Sequence, residues 1–212
     1  MHTYSAVLFD LDGTISDSAP GITRSVAHAF ERLGMPVPER KQLRVFIGPP
    51  LSKTFPEFGV PKERVTEAIT FYRELYTTEA KYENELYPGM KDLLKKLKED
   101  GLKLYVATSK PEILAKDILK HFGIDHYFDE IAGATMDYAR ETKEAVLRYL
   151  LDKIGTEDKA VMIGDTVYDV EGANALQIPC IAVTWGFGNR EEMIQAGAVS
   201  IVDTMDELYQ AI

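Results

Sequence analysis

Six short runs constrain this chain more than anything else in it: residues 6–9 (AVLF), 102–108 (LKLYVAT), 130–134 (EIAGA), 160–164 (AVMIG), 180–183 (CIAV) and 199–202 (VSIV). Several are apolar at successive positions instead of alternating, the pattern of a strand covered on both faces. Between them, apolar residues recur at helical spacing. In 111–122, Leu114, Ile118, Leu119 and Phe122 share a face and Gly123 ends the segment; in 142–155, Val146, Tyr149, Leu150 and Ile154 do so before Gly155. Pro88 opens another helix, over 89–100, which Gly101 closes. Strands alternating with helices imply right-handed crossovers and an α/β fold built on a doubly wound parallel sheet.

Residues 16–82 break that rhythm. Ile22, Val26, Phe30 and Leu33 mark one helix, closed by Gly34, and Val65, Ile69, Tyr72 and Tyr76 mark another. A proline- and glycine-containing stretch, FIGPPLSKTFPEFGVP, lies between them, and no strand signal occurs in the segment. The expected organisation is a core made of 1–15 and 83–212, with an all-helical insertion over 16–82.

Composition narrows the function. Lys and Arg number 24 against 34 Asp and Glu, a net charge of −10, which disfavours nucleic acid and anionic membrane as partners. No apolar run approaches the roughly 20 residues that span a bilayer, and MHTYSAVLFD lacks the basic start of a secretory signal. The single cysteine, Cys180 in IPCIAVTW, excludes an internal disulfide and reads as a buried structural thiol. A cytoplasmic setting is expected, as a monomer or homodimer.

In an open α/β sheet, ligands sit beyond the carboxyl ends of the strands. The first run ends in Asp10, with Asp12 just beyond; LKLYVAT delivers Thr108, Ser109 and Lys110; AVMIG delivers Asp165 and, one turn later, Asp169; and Lys143 begins a helix after EIAGA. An aspartate after a strand is usually a turn former or helix cap, and Thr108 and Ser109 are candidates to cap the helix that Pro111 opens. Capping accounts for single aspartates but not for four at the ends of two strands. Two unit charges ~4 Å apart repel by roughly 4 kcal/mol at a surface-like dielectric, so Asp10 and Asp12 need compensation. A dication supplies it: Mg²⁺ takes oxygen ligands and bridges to phosphate oxygens, with Thr108 as a neutral donor and Lys143 as a positive charge toward the same phosphate.

The motifs DLDGT (10–14), Thr108 after its strand, Lys143, and GDTVYD (164–169) stand in the order found in haloacid dehalogenase-like phosphatases, which the chain resembles over essentially its whole length. The resemblance implies a Rossmann-like core with a helical cap inserted after the first motif. It implies Asp10 as nucleophile, forming an aspartyl-phosphate, and Asp12 as general acid and then base. Thr108 and Lys143, with Ser109 beside them, would hold the phosphoryl group. Mg²⁺ would be bound by the Asp10 carboxylate, the Asp12 backbone carbonyl and Asp165, with Asp169 assisting through water.

IGPPLSKTF (47–55), TSKP (109 in place of the usual asparagine) and VTWGFGNREEMIQAGA resemble the phosphoglycolate phosphatase-like branch. The implied function is hydrolysis of a small phosphorylated metabolite. A 5′-nucleotidase or sugar-phosphate phosphatase is the near alternative, and Arg44 and Lys53 either reach the ligand from the cap or are solvated charges. A β-phosphoglucomutase-like phosphomutase is less favoured, because its relatives carry Glu-Asp where this chain has GDTVYD. A phospho-aspartate signalling receiver is the non-enzyme alternative, but it has neither the helical insertion nor a use for an acid two residues beyond the phosphorylated one.

Overall fold

A computed structural model describes residues 2–137, 139–155 and 159–212. The chain divides into two compact units, 1–16 with 86–212, and 17–85. The first carries a six-stranded sheet of β1 (Ala6–Phe9), β4 (Lys103–Pro111), β5 (Glu130–Ala134), β6 (Ala160–Gly164), β7 (Cys180–Val183) and β8 (Ser200–Val202). Its order is β5-β4-β1-β6-β7-β8, with each ladder between neighbours parallel. Around it run α4 (Met90–Glu99), α5 (Glu112–His121), α6 (Lys143–Ile154), α7 (Val167–Asn174), α8 (Arg190–Gln195) and α9 (Met205–Ala211). From β1 the strand order runs to β4 and β5 on one side and to β6, β7 and β8 on the other. That reversal opens a crevice at the carboxyl end of β1.

The consecutive apolar residues of β1 are explained by two separate cores. Val7 and Phe9 pack with Leu94, Leu104 and Ile118 on one face, while Ala6 and Leu8 pack with Val146, Leu150 and Met162 on the other. All four β1 residues are fully buried. Cys180 lies in the second core, and burial pushes its thiol well above the usual range, so it is an inert packing group.

Near Pro111 one boundary shifts by a residue and the capping alternative is not met. The helix begins at Glu112, and Pro111 is instead the last residue of β4, paired with Ala134 after a register shift that starts at Thr108. Thr108 does not cap the helix; its Oγ1 accepts the Lys110 backbone N–H at 3.2 Å. The last strand begins at Ser200, because Val199 is 58% exposed and belongs to no core.

The unit 17–85 contains α1 (Ala19–Leu33), α2 (Leu51–Glu57) and α3 (Val65–Tyr76). Gly34 ends α1 in the left-handed conformation, its N–H bonded back to the helix. Phe30, Phe46, Phe55 and Phe58 form an aromatic cluster with centroids 4.9–6.4 Å apart, and Tyr72 stacks on Tyr76. The chain passes between units at β2 (Ser16–Asp17) and β3 (Glu85–Leu86). The first of these is a strand where none was expected, since two residues are too few to show any hydrophobic period. Among the described residues, no helix is long and apolar enough to cross a membrane.

Candidate active site

Asp10 follows β1, Asp165 follows β6, and Asp169 sits in the first turn of α7. One carboxylate oxygen from each lies within 4.8 Å of the other two, and all three residues are buried. The pairing of β1 with β6, Phe9 opposite Ile163, brings residues 155 positions apart to one edge.

Two of the three carboxylates, Asp165 and Asp169, are held from behind. The Thr14 hydroxyl donates to Asp165 Oδ1 at 3.0 Å and the Phe187 backbone N–H donates to Oδ2 at 2.8 Å. Trp185 Nε1 donates to the Thr14 carbonyl at 3.1 Å, which ties the strap after β7 to the loop after β1. The backbone presses against Asp165: a Cβ on Gly13 would lie 2.1 Å, and one on Gly186 2.2 Å, from its Oδ2. Gly13 also has φ +88°, so both its conformation and its closeness exclude a side chain. Asp169 closes a capping box on α7, its Oδ2 accepting from the Thr166 N–H at 3.0 Å and hydroxyl at 2.8 Å.

Lys143 begins α6, which Thr142 caps by accepting from the Ala145 N–H. Its buried Nζ lies 2.8 Å from Asp10 Oδ1 and 2.7 Å from Asp169 Oδ1, and donates to the Ala107 carbonyl at 2.8 Å. Burial alone would lower the lysine's pKa, but the charges of Asp10 and Asp169 outweigh it and hold the ammonium above its ordinary value. Burial pushes Asp10 up to about 6; Lys143 pulls it back, while Asp169 and then Asp12 push it up. Burial, reinforced by Asp169 and Asp10, raises Asp165 well above the carboxylate range against the opposing pull of Phe187 and Thr14.

Asp12 stands apart. Its carboxylate does not join the trio but forms a buried ion pair with Lys110, 2.7 Å from Nζ. Asp12 is also the smallest of the influences on Asp10. The repulsion implied by the sequence spacing is therefore relieved by two lysines, one for each aspartate, before any metal is considered. Thr108 is buried beside Lys110, and Ser109 is half-buried. Arg44 and Lys53 belong to the unit 17–85 and are exposed there; Arg44 lines a concavity of about 460 Å³ with Arg40, Lys41 and Thr23.

Two contributors had no role assigned from sequence: Thr14, the last residue of the DLDGT run, and Lys110 in TSKP. Phe187 was not discernible at all, because it acts through its backbone.

A divalent metal fits the trio. The trio offers three hard oxygen donors, and the one ammonium in contact with it, on Asp10 and Asp169, leaves two negative charges when all are ionised. Asp10 Oδ1 and Asp169 Oδ1 already contact the Lys143 ammonium, so the case for a dication rests on the hard oxygen donors and on the charge that one lysine leaves uncompensated.

This combination defines a Rossmann-like hydrolase with a buried acidic centre. The chain belongs to the haloacid dehalogenase-like hydrolase family, whose pattern matches residues 7–183, and it is a phosphoric monoester hydrolase. It is 43% identical to a 5′-nucleotidase of Pseudomonas aeruginosa, over 90% of this chain and 87% of that protein. It is 41% identical to the tyrosine-protein kinase PtkA of Mycobacterium tuberculosis, over 97% of this chain and 72% of that protein. Phosphoglycolate phosphatase 1 of Pseudomonas aeruginosa matches at 28%, over 95% and 77%. The crystal structure of a predicted phosphatase from Clostridium acetobutylicum superposes with a TM-score of 0.94 at 44% identity, covering 99% of this chain and 98% of that one.

Proposed function

We propose that the protein is a Mg²⁺-dependent phosphatase that hydrolyses small phosphomonoesters through an aspartyl-phosphate on Asp10. The observation that carries this reading is the buried trio of Asp10, Asp165 and Asp169, two of which contact Lys143. Asp10 attacks phosphorus, so that its oxygen–phosphorus bond forms as the ester bond breaks. The proton of the Asp12 carboxyl passes to the leaving oxygen, and the alcohol departs neutral. Water then attacks the phosphorus and gives its proton to Asp12. The bond to Asp10 breaks, inorganic phosphate leaves, and the Asp10 carboxylate is restored. Thr108 and Lys143 hold the non-bridging oxygens, with Ser109 beside them. The Asp10 and Asp165 carboxylates and the Asp12 backbone carbonyl would hold Mg²⁺, with Asp169 in support. When bound, the ion neutralises charge on the phosphoryl group and orients it.

The helical segment is read as a cap that sets substrate size. Among small esters, nucleoside 5′-monophosphates rank first and phosphoglycolate second, because the relative named a 5′-nucleotidase is the more similar of the two. The test is a phosphate-release screen of nucleoside monophosphates, phosphoglycolate and sugar phosphates, with Mg²⁺ and then with EDTA. Release from at least one ester that EDTA abolishes is expected. Turnover indifferent to EDTA overturns the metal assignment. Isomerisation of a sugar phosphate without phosphate release identifies a mutase instead.

A further inference from the structure

Two buried lysines contact three of the four carboxylates. Lys143 serves Asp10 and Asp169, whereas Lys110 contacts Asp12. Lys110 is held as firmly as its partner. It lies within the register shift of β4 between Thr108 and Pro111, its backbone N–H is fixed by Thr108 Oγ1, and its side chain is 4% exposed. Shifts of this kind redirect side chains at the ends of strands. Here the redirected ammonium meets a carboxylate 98 residues earlier in the chain. Asp12 itself follows the last residue of β1 by three positions, in a loop where Gly13 turns with φ +88°. Its backbone alone does not fix where the carboxylate points, because rotation about its side-chain bonds would move the oxygens. A charge-assisted contact to a group anchored in the sheet removes that freedom.

We propose that Lys110 is a positioning residue for Asp12, fixing its carboxylate for proton transfer to the leaving oxygen. The inference rests on the reading of Asp12 as general acid. Lys110 need not touch the substrate: it fixes the donor, and the carboxylate left on Asp12 after the proton departs lies beside an ammonium.

The experiment uses the full-length Mg²⁺-loaded enzyme and a series of para-substituted phenyl phosphates, which differ in leaving-group basicity but little in shape. kcat/KM reports the steps up to departure of the phenol. The slope of its logarithm against leaving-group basicity is independent of how much of the sample is folded. A general acid is worth about 10²–10⁴-fold when the leaving group is basic and little when it is not. Asp12→Asn should steepen the slope. Lys110→Met should steepen it in the same sense, with a loss of about tenfold or more on phenyl phosphate and less than about threefold on p-nitrophenyl phosphate. Lys110→Arg should restore the wild-type slope, and the double variant should be no steeper than Asp12→Asn alone.

A uniform loss across the series in Lys110→Met, with Asp12→Asn steep, overturns the inference and leaves the general-acid reading standing. It would assign Lys110 to substrate binding or to structure. A slope unchanged in Asp12→Asn removes the general-acid reading, and this inference with it.

Discussion

The trio with Lys143 and the pair with Lys110 lie in the same unit, are built from the same two residue types, and differ in charge balance. In the first, one ammonium contacts two of three clustered carboxylates; in the second, an ammonium contacts the carboxylate of Asp12. Burial raises the proton affinity of Asp10 and Asp165 in the unbalanced cluster. The difference teaches that buried acids are tolerated in two ways. A pair is satisfied by its own partner, whereas a cluster with excess charge offers oxygen ligands that could hold a cation.

The largest test of that contrast is Asp10→Asn. It should lower kcat by roughly 10³-fold or more with the circular dichroism spectrum unchanged; activity within tenfold of wild type would remove the nucleophile. Next, Lys143→Met should cost about 3–5 kcal/mol of stability in EDTA, since it strands two buried carboxylates. Lys110→Met, which strands one, should cost less. Equal losses in urea titrations would break the comparison.

The pH dependence of stability sharpens it further. Burial is the main cause of the rise of Asp10 from 3.8 to about 6, so the folded chain binds more protons than the unfolded chain between those values. Its contribution to stability therefore declines as pH rises through that window, by roughly 3 kcal/mol at most. In EDTA, wild type should lose stability relative to Asp10→Asn between pH 4 and 7, and Mg²⁺ at pH 7 should reverse the loss. A gap that stays constant with pH would show that the cluster carries no excess charge. The smallest effect is expected from Thr14→Val, which leaves Asp165 without one of its two donors. Mg²⁺ affinity, read from the metal-dependent rise in Tm, should fall about tenfold.

Much of the acidic cluster was legible in advance because strand ends announce themselves. A run of apolar residues that stops at an aspartate marks both an element and a place. AVLF before Asp10 and AVMIG before Asp165 located two members of the trio, and the Thr166–Asp169 spacing is a capping box whose acid also faces the cluster. Lys143 was reached by its position before a helical period. The partnering of Asp12 was not legible, since nothing in the local sequence says that a β4 lysine turns toward the loop after β1. Pro111 misled for a related reason. Proline ahead of a helical period ordinarily opens the helix, but here the β4–β5 ladder holds it as a strand end.

What the order of residues settled alone is periodic and local: which segments are buried on both faces, where helices run to within a residue or so, and which side chains stand where strands stop. Those follow from the burial of apolar surface and from backbone capping, which act over a few residues. Tertiary structure alone decided which acids gather into one cluster and which is paired off, because register and the turn after each strand set distances between side chains far apart in the chain. Electrostatic energy depends on those distances, and no local pattern carries them.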